Sequence, residues 1–272
     1  MRFRRRFAKR RYPERVAEKL RLGGMALRNG VLVHGPNTWA CAVRLPDGTL
    51  KVAARERWLV GNRIESPLLR GPARLAEAMA VLPAVKKNLP EAKLPFEQPR
   101  MLAGMLATAT AVRIVRGSRL RPIAQELASS LLALTPAVLA LRNNDLAAYH
   151  GAEHISIGTY EHDEPRAREH ERCGSHLIGP MLATTAVANA AVTKLPEHMR
   201  RPARGVASLG AIVAATEIFG WMVRNPERKL ARALAKPGHE LQHRIATREP
   251  TTAQVEVAEA ALRACLELEA AH

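Results

Sequence analysis

The hydrophobic pattern changes period along the chain. In "NTWACAVRLPDGTLKVAARERW", Trp39, Cys41, Val43 and Leu45 alternate with small or polar neighbours. Leu50, Val52 and Ala54 resume that period of two after a "PDG" turn at Pro46 to Gly48. Alternation on both sides of a turn predicts a β-hairpin. The preceding "MALRNGVLVHGPN" predicts one or two further short strands, bounded by Gly30, Gly35 and Pro36. From Ser66 the pattern becomes helical, with a helix expected from about Pro72 and a linker punctuated by Pro90, Pro95 and Pro99. Four Ala-rich apolar runs follow, starting at Met101, Glu126, His176 and Gly205. The tail from Thr251 predicts an amphipathic, acidic helix packed on a helical bundle. Thr251 and Gln254 form its capping box, and Val255, Ala258, Leu262, Cys265 and Leu266 its apolar face.

The expected organisation is a basic arm (1–22), a small β unit (23–62), a helix and Pro-rich linker (63–98), a helical domain (99–224) and a C-terminal amphipathic helical segment (225–272). The run from Gly205 has 19 residues with one ionisable group, Glu217, close to the length that spans a bilayer. Two readings compete for the Ala-rich runs. A soluble bundle fits the mean hydropathy of −0.15, and it fits the basic loops on every side, which yield no alternating topology. Re-entrant hairpins would remove the same contradiction, and small residues suit packing within a membrane. The residues alone favour the soluble bundle.

Charge adds a partner class. The chain carries a formal net charge of +17, which points to an anionic partner such as RNA, the ribosome or an acidic membrane surface. Residues 1 to 22 hold ten Arg or Lys against two Glu, so 10 − 2 = +8 lies in the arm, where Phe3, Phe7 and Tyr12 suit either lipid or RNA contact. Three widely spaced cysteines predict free thiols in a reducing compartment rather than a disulfide framework. The arm lacks the apolar segment of a cleavable leader.

The densest chemistry lies in "YHGAEHISIGTYEHDEPRAREHERCGSH", Tyr149 to His176, where five of the ten histidines fall. A helix capped at Asn144 or Asp145 and running to about Ile157 places His150 and His154 one turn apart on one face. Two imidazoles so spaced can share a cation, and Glu153 at the edge of that face can serve as general base toward water activated there. This is the inverted zincin pattern, H-x-x-E-H, and it implies a divalent metal ion, zinc first. His170 and Cys173 form a second compact ligand pair before Gly174. Glu217, isolated in an apolar run, needs a cation, a hydrogen-bond partner or a proton, and is a further candidate ligand. Two arrangements are open. Four ligands, His150, His154, His170 and Cys173, would make a closed structural zinc. Two helix histidines with one of Glu217, His170 or Cys173 would leave an open position for hydrolysis. The rival class is a non-catalytic, basic, membrane- or ribosome-associated scaffold with a structural metal.

Several blocks in register resemble one family. "YHGAEH" at Tyr149, "YE" at Tyr160, "RCG" at Arg172, Glu217 and "TREP" at Thr247 resemble the YqhQ-like family, a domain of unknown function (1385) described as predicted metal-dependent enzymes. "GG" at Gly23, "NGV" at Asn29, "HGP" at His34, "WACAVRLPDG" at Trp39 and "PLLRG" at Pro67 resemble its opening. The pattern departs from that family at Asn29, His34, Ile155 and Glu171. The resemblance implies a bacterial, multi-pass membrane protein with apolar helices on both sides of the His-Glu-His segment, and the expected localisation is the membrane, on its cytoplasmic side, with a cytoplasmic protein as the alternative. With it, the expected fold is mainly α, an Ala-rich, membrane-embedded helical bundle with a small N-terminal β unit. The expected function is metal-dependent hydrolysis, with Glu153 catalytic and the substrate undefined.

Overall fold

The structure, a computed structural model, describes residues 19–57, 64–133, 135–141 and 144–272. The basic arm lies outside the described residues as far as residue 18.

The β unit forms as a four-stranded antiparallel meander of β1 (Gly23–Leu27), β2 (Gly30–His34), β3 (Thr38–Arg44) and β4 (Leu50–Glu56), in that spatial order. The predicted hairpin joins β3 to β4, pairing Cys41 with Ala53. Its turn closes through Leu45 N–H donating to Thr49 O at 2.9 Å, and Gly48 takes a φ of +85°, which a side chain would disfavour. Both sheet faces are covered. Val31, Val33, Ala40 and Ala42 face one core, whereas Leu27, Leu32, Trp39, Cys41 and Val43 face the other.

The second face is closed by the C-terminal half of α1 (Pro67–Asn88) and by the Pro-rich segment after it. The helix starts five residues before Pro72, because Pro67 already occupies its first turn, where a missing N–H leaves no bond unmade. The linker is packed rather than loose. Leu89, Ala92 and Leu94 are buried in the core, and Asn29 Oδ1 accepts from Lys93 N–H at 2.9 Å. Pro99 then opens α2 (Pro99–Gly117), followed by α3 (Pro122–Ala133) and α4 (Thr135–Leu141).

The first face is closed by α5 (Asn144–His162) and, near the chain end, α9 (Thr252–Glu269). The α5 helix outruns its predicted end at Ile157, because the next stop signal is Asp163, in the left-handed region at φ 57°, with Pro165 behind it. The capping box forms as expected, with Thr251 Oγ1 accepting from Gln254 N–H at 3.3 Å. Val255, Ala258, Leu262, Cys265 and Leu266 are all buried. This helix packs on the sheet and α5 instead of on a helical bundle. Ala40 and Ala42 leave a shallow sheet face that its aliphatic side chains fill.

Between them lie α6 (Ile178–Thr193), α7 (Glu197–Arg224) and α8 (Lys229–Leu241). The protein is thus mainly helical with a small N-terminal antiparallel sheet. Among the described residues one helix, α7, is long and apolar enough to cross a membrane, with a mean hydropathy of 1.7 over 18 residues. The multi-pass arrangement expected from the sequence therefore finds a single candidate span.

Candidate metal centre

The buried face of α5 that meets β1 carries the site. His150 and His154 lie one turn apart, with ring centroids 4.3 Å from each other. Each ring is held from behind by a backbone carbonyl. His150 Nδ1 faces Ala246 O at 2.8 Å, and His154 Nδ1 faces Arg168 O at 2.6 Å. A carbonyl oxygen only accepts, so each Nδ1 carries the proton and donates it. Both Nε2 lone pairs are thereby left inward and free to ligate, the arrangement that orients metal-binding histidines. Burial also pushes the His154 pKa well below its ordinary value, aided by the nearby His150, which keeps that ring neutral.

Cys173 reaches the pair from the loop after α5. Its Sγ lies 3.6 Å from His150 Nε2, and the ligand atoms of His150, His154 and Cys173 all fall within 4.8 Å of one another. This fits a divalent cation. Zinc–nitrogen and zinc–sulfur bonds of about 2.0 and 2.3 Å at a tetrahedral angle place N and S about 3.5 Å apart. Two imidazoles and one thiol are also the donor set that selects zinc over harder cations.

Glu153 stands beside these atoms, its Oε2 3.9 Å from His150 Nε2 and 4.0 Å from His154 Nε2. Its side chain lies against β1 at Gly24, where any Cβ would collide with the carboxylate. Gly24, the second glycine of the "GG" block, thus gives the acid room to lie under the strand. Burial pushes the Glu153 carboxyl up to about 7, against His150 and His170, which lower it, and with Cys173, which adds to the rise. A carboxyl in that range can take or release a proton near neutral pH.

The remaining candidates do other work. His170 Nδ1 accepts from Arg172 N–H at 3.3 Å, so its Nε2 carries the proton toward Glu161 Oε2 at 3.1 Å. With both nitrogens engaged, its ring packs 5.5 Å from His154 instead of joining the cluster. Glu217, on α7, finds the cation its apolar setting demands in Arg70 of α1. That guanidinium grips it at two points, one of them Nε to Oε1 at 2.7 Å. The structure therefore assembles a three-ligand set with Glu153 beside it, and leaves His170 and Glu217 outside.

Sequence reasoning did not single out the groups that brace the site. Glu161 is bonded to His170 and paired with Arg172. Gln242, fully buried, bonds the loop around Cys173. The carbonyls of Arg168 and Ala246 have no side-chain signature at all. The "YE" block was the one available sign of Glu161.

No curated protein and no solved structure matches the chain. The family model described as "Protein of unknown function (DUF1385)" matches residues 123–268, which contain α5, the Cys173 loop, α7 and the braces at 242 to 246. The match covers more than half of the chain, which therefore belongs to the DUF1385 family.

Proposed function

We propose that this protein is a membrane-associated, metal-dependent hydrolase. The observation that carries this reading is the pair of Nε2 lone pairs, fixed by carbonyls behind them, converging with a thiol while a carboxyl of raised pKa stands about one water molecule away. His150, His154 and Cys173 would hold the ion. A divalent cation held there supplies Lewis acidity and a lowered pKa for water. Three protein ligands leave a position open, as catalytic zinc sites do and closed structural sites do not. Glu153 would accept the proton of the attacking water and return it to the leaving group. Its burial against β1 holds the carboxyl in place and keeps bulk water from competing.

Membrane association rests on where the apolar surface lies. The apolar window of α7 is 17% buried, so the core-helix explanation for such a segment does not apply to it. Val187 on α6, with Val206 and Leu209 on α7, are each at least two-thirds exposed. A contiguous apolar face of this kind needs a cover, and a bilayer supplies one. The basic arm is the segment that would meet anionic headgroups.

Glu153→Gln tests the catalytic reading. Metal content is expected to be retained while turnover, or rescue of a deletion strain, falls by about 10²-fold or more. Retention of full function by this variant together with stoichiometric metal would leave the scaffold with a structural ion as the better account.

A further inference from the structure

A single turn of π-helix, Gln242–Ala246, follows α8. Thr247 N–H donates to Gln242 O at 3.1 Å, a bond across five residues where an α-helix would span four, and Thr247 Oγ1 donates to the same oxygen at 2.9 Å. Such turns are rare and gather at functional sites. This one makes two contacts with the metal centre. Its last carbonyl, Ala246 O, accepts from His150 Nδ1 at 2.8 Å. Its first side chain, Gln242, enters the loop that carries Cys173. Gln242 Oε1 accepts from His170 N–H at 2.9 Å, and its Nε2 donates to His170 O at 3.2 Å and to Ser175 Oγ at 2.7 Å. Those anchor points lie three residues before Cys173 and two after it.

The turn is placed closely as well. A Cβ at Gly238, one turn earlier on α8, would meet Ser175 O at 2.5 Å, so only glycine lets α8 lie this near the loop. Gln242 is fully buried and uses both of its amide protons on the loop. A regular α-turn here would drop one residue from the path, rotating each later carbonyl by about 100° and taking Ala246 O away from His150.

We infer that the π-turn is the positioning element of the metal centre, with Gln242 as a positioning residue that sets Cys173 against His150. The inference rests on the metal reading given above and adds what holds two of the three ligands in register. It is tested by competition of Zn²⁺ between the full-length protein and a chromophoric chelator, and by the absorption spectrum of the Co²⁺-loaded protein. The variants are Gln242→Ala, Gln242→Glu and Ser175→Ala, with Thr38→Val as control. The control removes a buried hydrogen bond between β3 and α9, from Thr38 Oγ1 to Glu269 Oε1 at 2.9 Å.

Gln242→Ala is expected to weaken Zn²⁺ binding about 10- to 100-fold, the usual cost of losing a group that orients metal ligands. It should also lower the thiolate-to-cobalt charge-transfer band per bound Co²⁺. Gln242→Glu, which loses the two donated bonds, should do the same, and Ser175→Ala should follow with a smaller loss. Thr38→Val should lower thermal stability while leaving Zn²⁺ affinity and the cobalt spectrum as in the parent. If Gln242→Ala does not fold, Ser175→Ala decides by the same two readouts. Unchanged affinity and an unchanged band in the folded variants overturn the inference, as does an equal loss in Thr38→Val. Failure of the unsubstituted protein to bind Zn²⁺ or Co²⁺ sinks the metal reading itself, a separate outcome visible before any variant is compared.

Discussion

Around α5, the histidine rings and the amide that builds the Cys173 loop are matched by hydrogen-bond partners, whereas along α6 and α7 apolar groups are exposed and unmatched. His154, 2% exposed, has a carbonyl behind it, and Gln242 has three partners. Val206, 73% exposed, has none of the burial that a helix of mean hydropathy 1.7 would seek in water. Under the proposed function the contrast separates two solvents, water and lipid. One region is a protein interior, where a buried polar atom needs a partner. The other exposes hydrocarbon, which on the proposed reading a bilayer covers, and within its apolar run, residues 205–223, the single ionisable group, Glu217, is paired by Arg70. Substitutions should therefore have opposite signatures in the two regions.

The largest expected effect is His154→Ala. It removes one of three ligands and should take bound metal from about one per chain to near none by elemental analysis. Metal retained at full stoichiometry in that variant would break the assignment of α5 as the site. Next come Val206→Lys and Leu209→Lys. Each places a charge on the apolar run near its start, at a cost below the about 2.5–3.5 kcal/mol of a Lys at a bilayer centre. Vesicle flotation should show lost membrane association while metal content stays as it was. Equal flotation of both variants and parent would leave the exposed face without a lipid role.

How much of this contrast was legible in the sequence depended on whether a signal was local. The hairpin at Pro46 to Gly48, the Thr251 capping box and the one-turn spacing of His150 and His154 are written in neighbouring residues, and each formed as read. Glu217 shows the limit. An isolated acid in an apolar run does announce the need for a cation, but the partner, Arg70, lies 147 residues away and no pattern names it. The tail helix shows the same limit, since its apolar stripe was plain while the sheet beneath it was not. Least legible were the Ala246 and Arg168 carbonyls that orient the rings, because backbone atoms leave no trace in residue type.

Smaller effects sharpen the buried side of the comparison. Burial lowers the His34 pKa to about 4, with Arg57 adding to the shift. The folded state therefore binds fewer protons than the unfolded chain between pH 6.5 and 4. The stability this His contributes is complete above about pH 6.5 and is lost as the pH falls toward 4. Urea unfolding at pH 5 should show a loss of about 2 kcal/mol relative to pH 7 from this residue alone. His34→Gln should flatten the dependence by that amount, and an unchanged pH slope would place the proton elsewhere. The smallest effect is Thr251→Ala, which removes the α9 cap and should cost about 1 kcal/mol in the same assay. No change in midpoint would mean that α9 is held by its packing on the sheet alone.

On the proposed reading, His150, His154 and Cys173 bind one divalent ion through atoms already facing one another. Elemental analysis of the full-length protein purified without chelators, set beside the His150→Ala, His154→Ala and Cys173→Ala variants, tests it most directly. About one zinc per chain is expected in the parent, with a sharp loss in each variant. A parent free of stoichiometric zinc, manganese or iron, or metal that persists through all three substitutions, would contradict it.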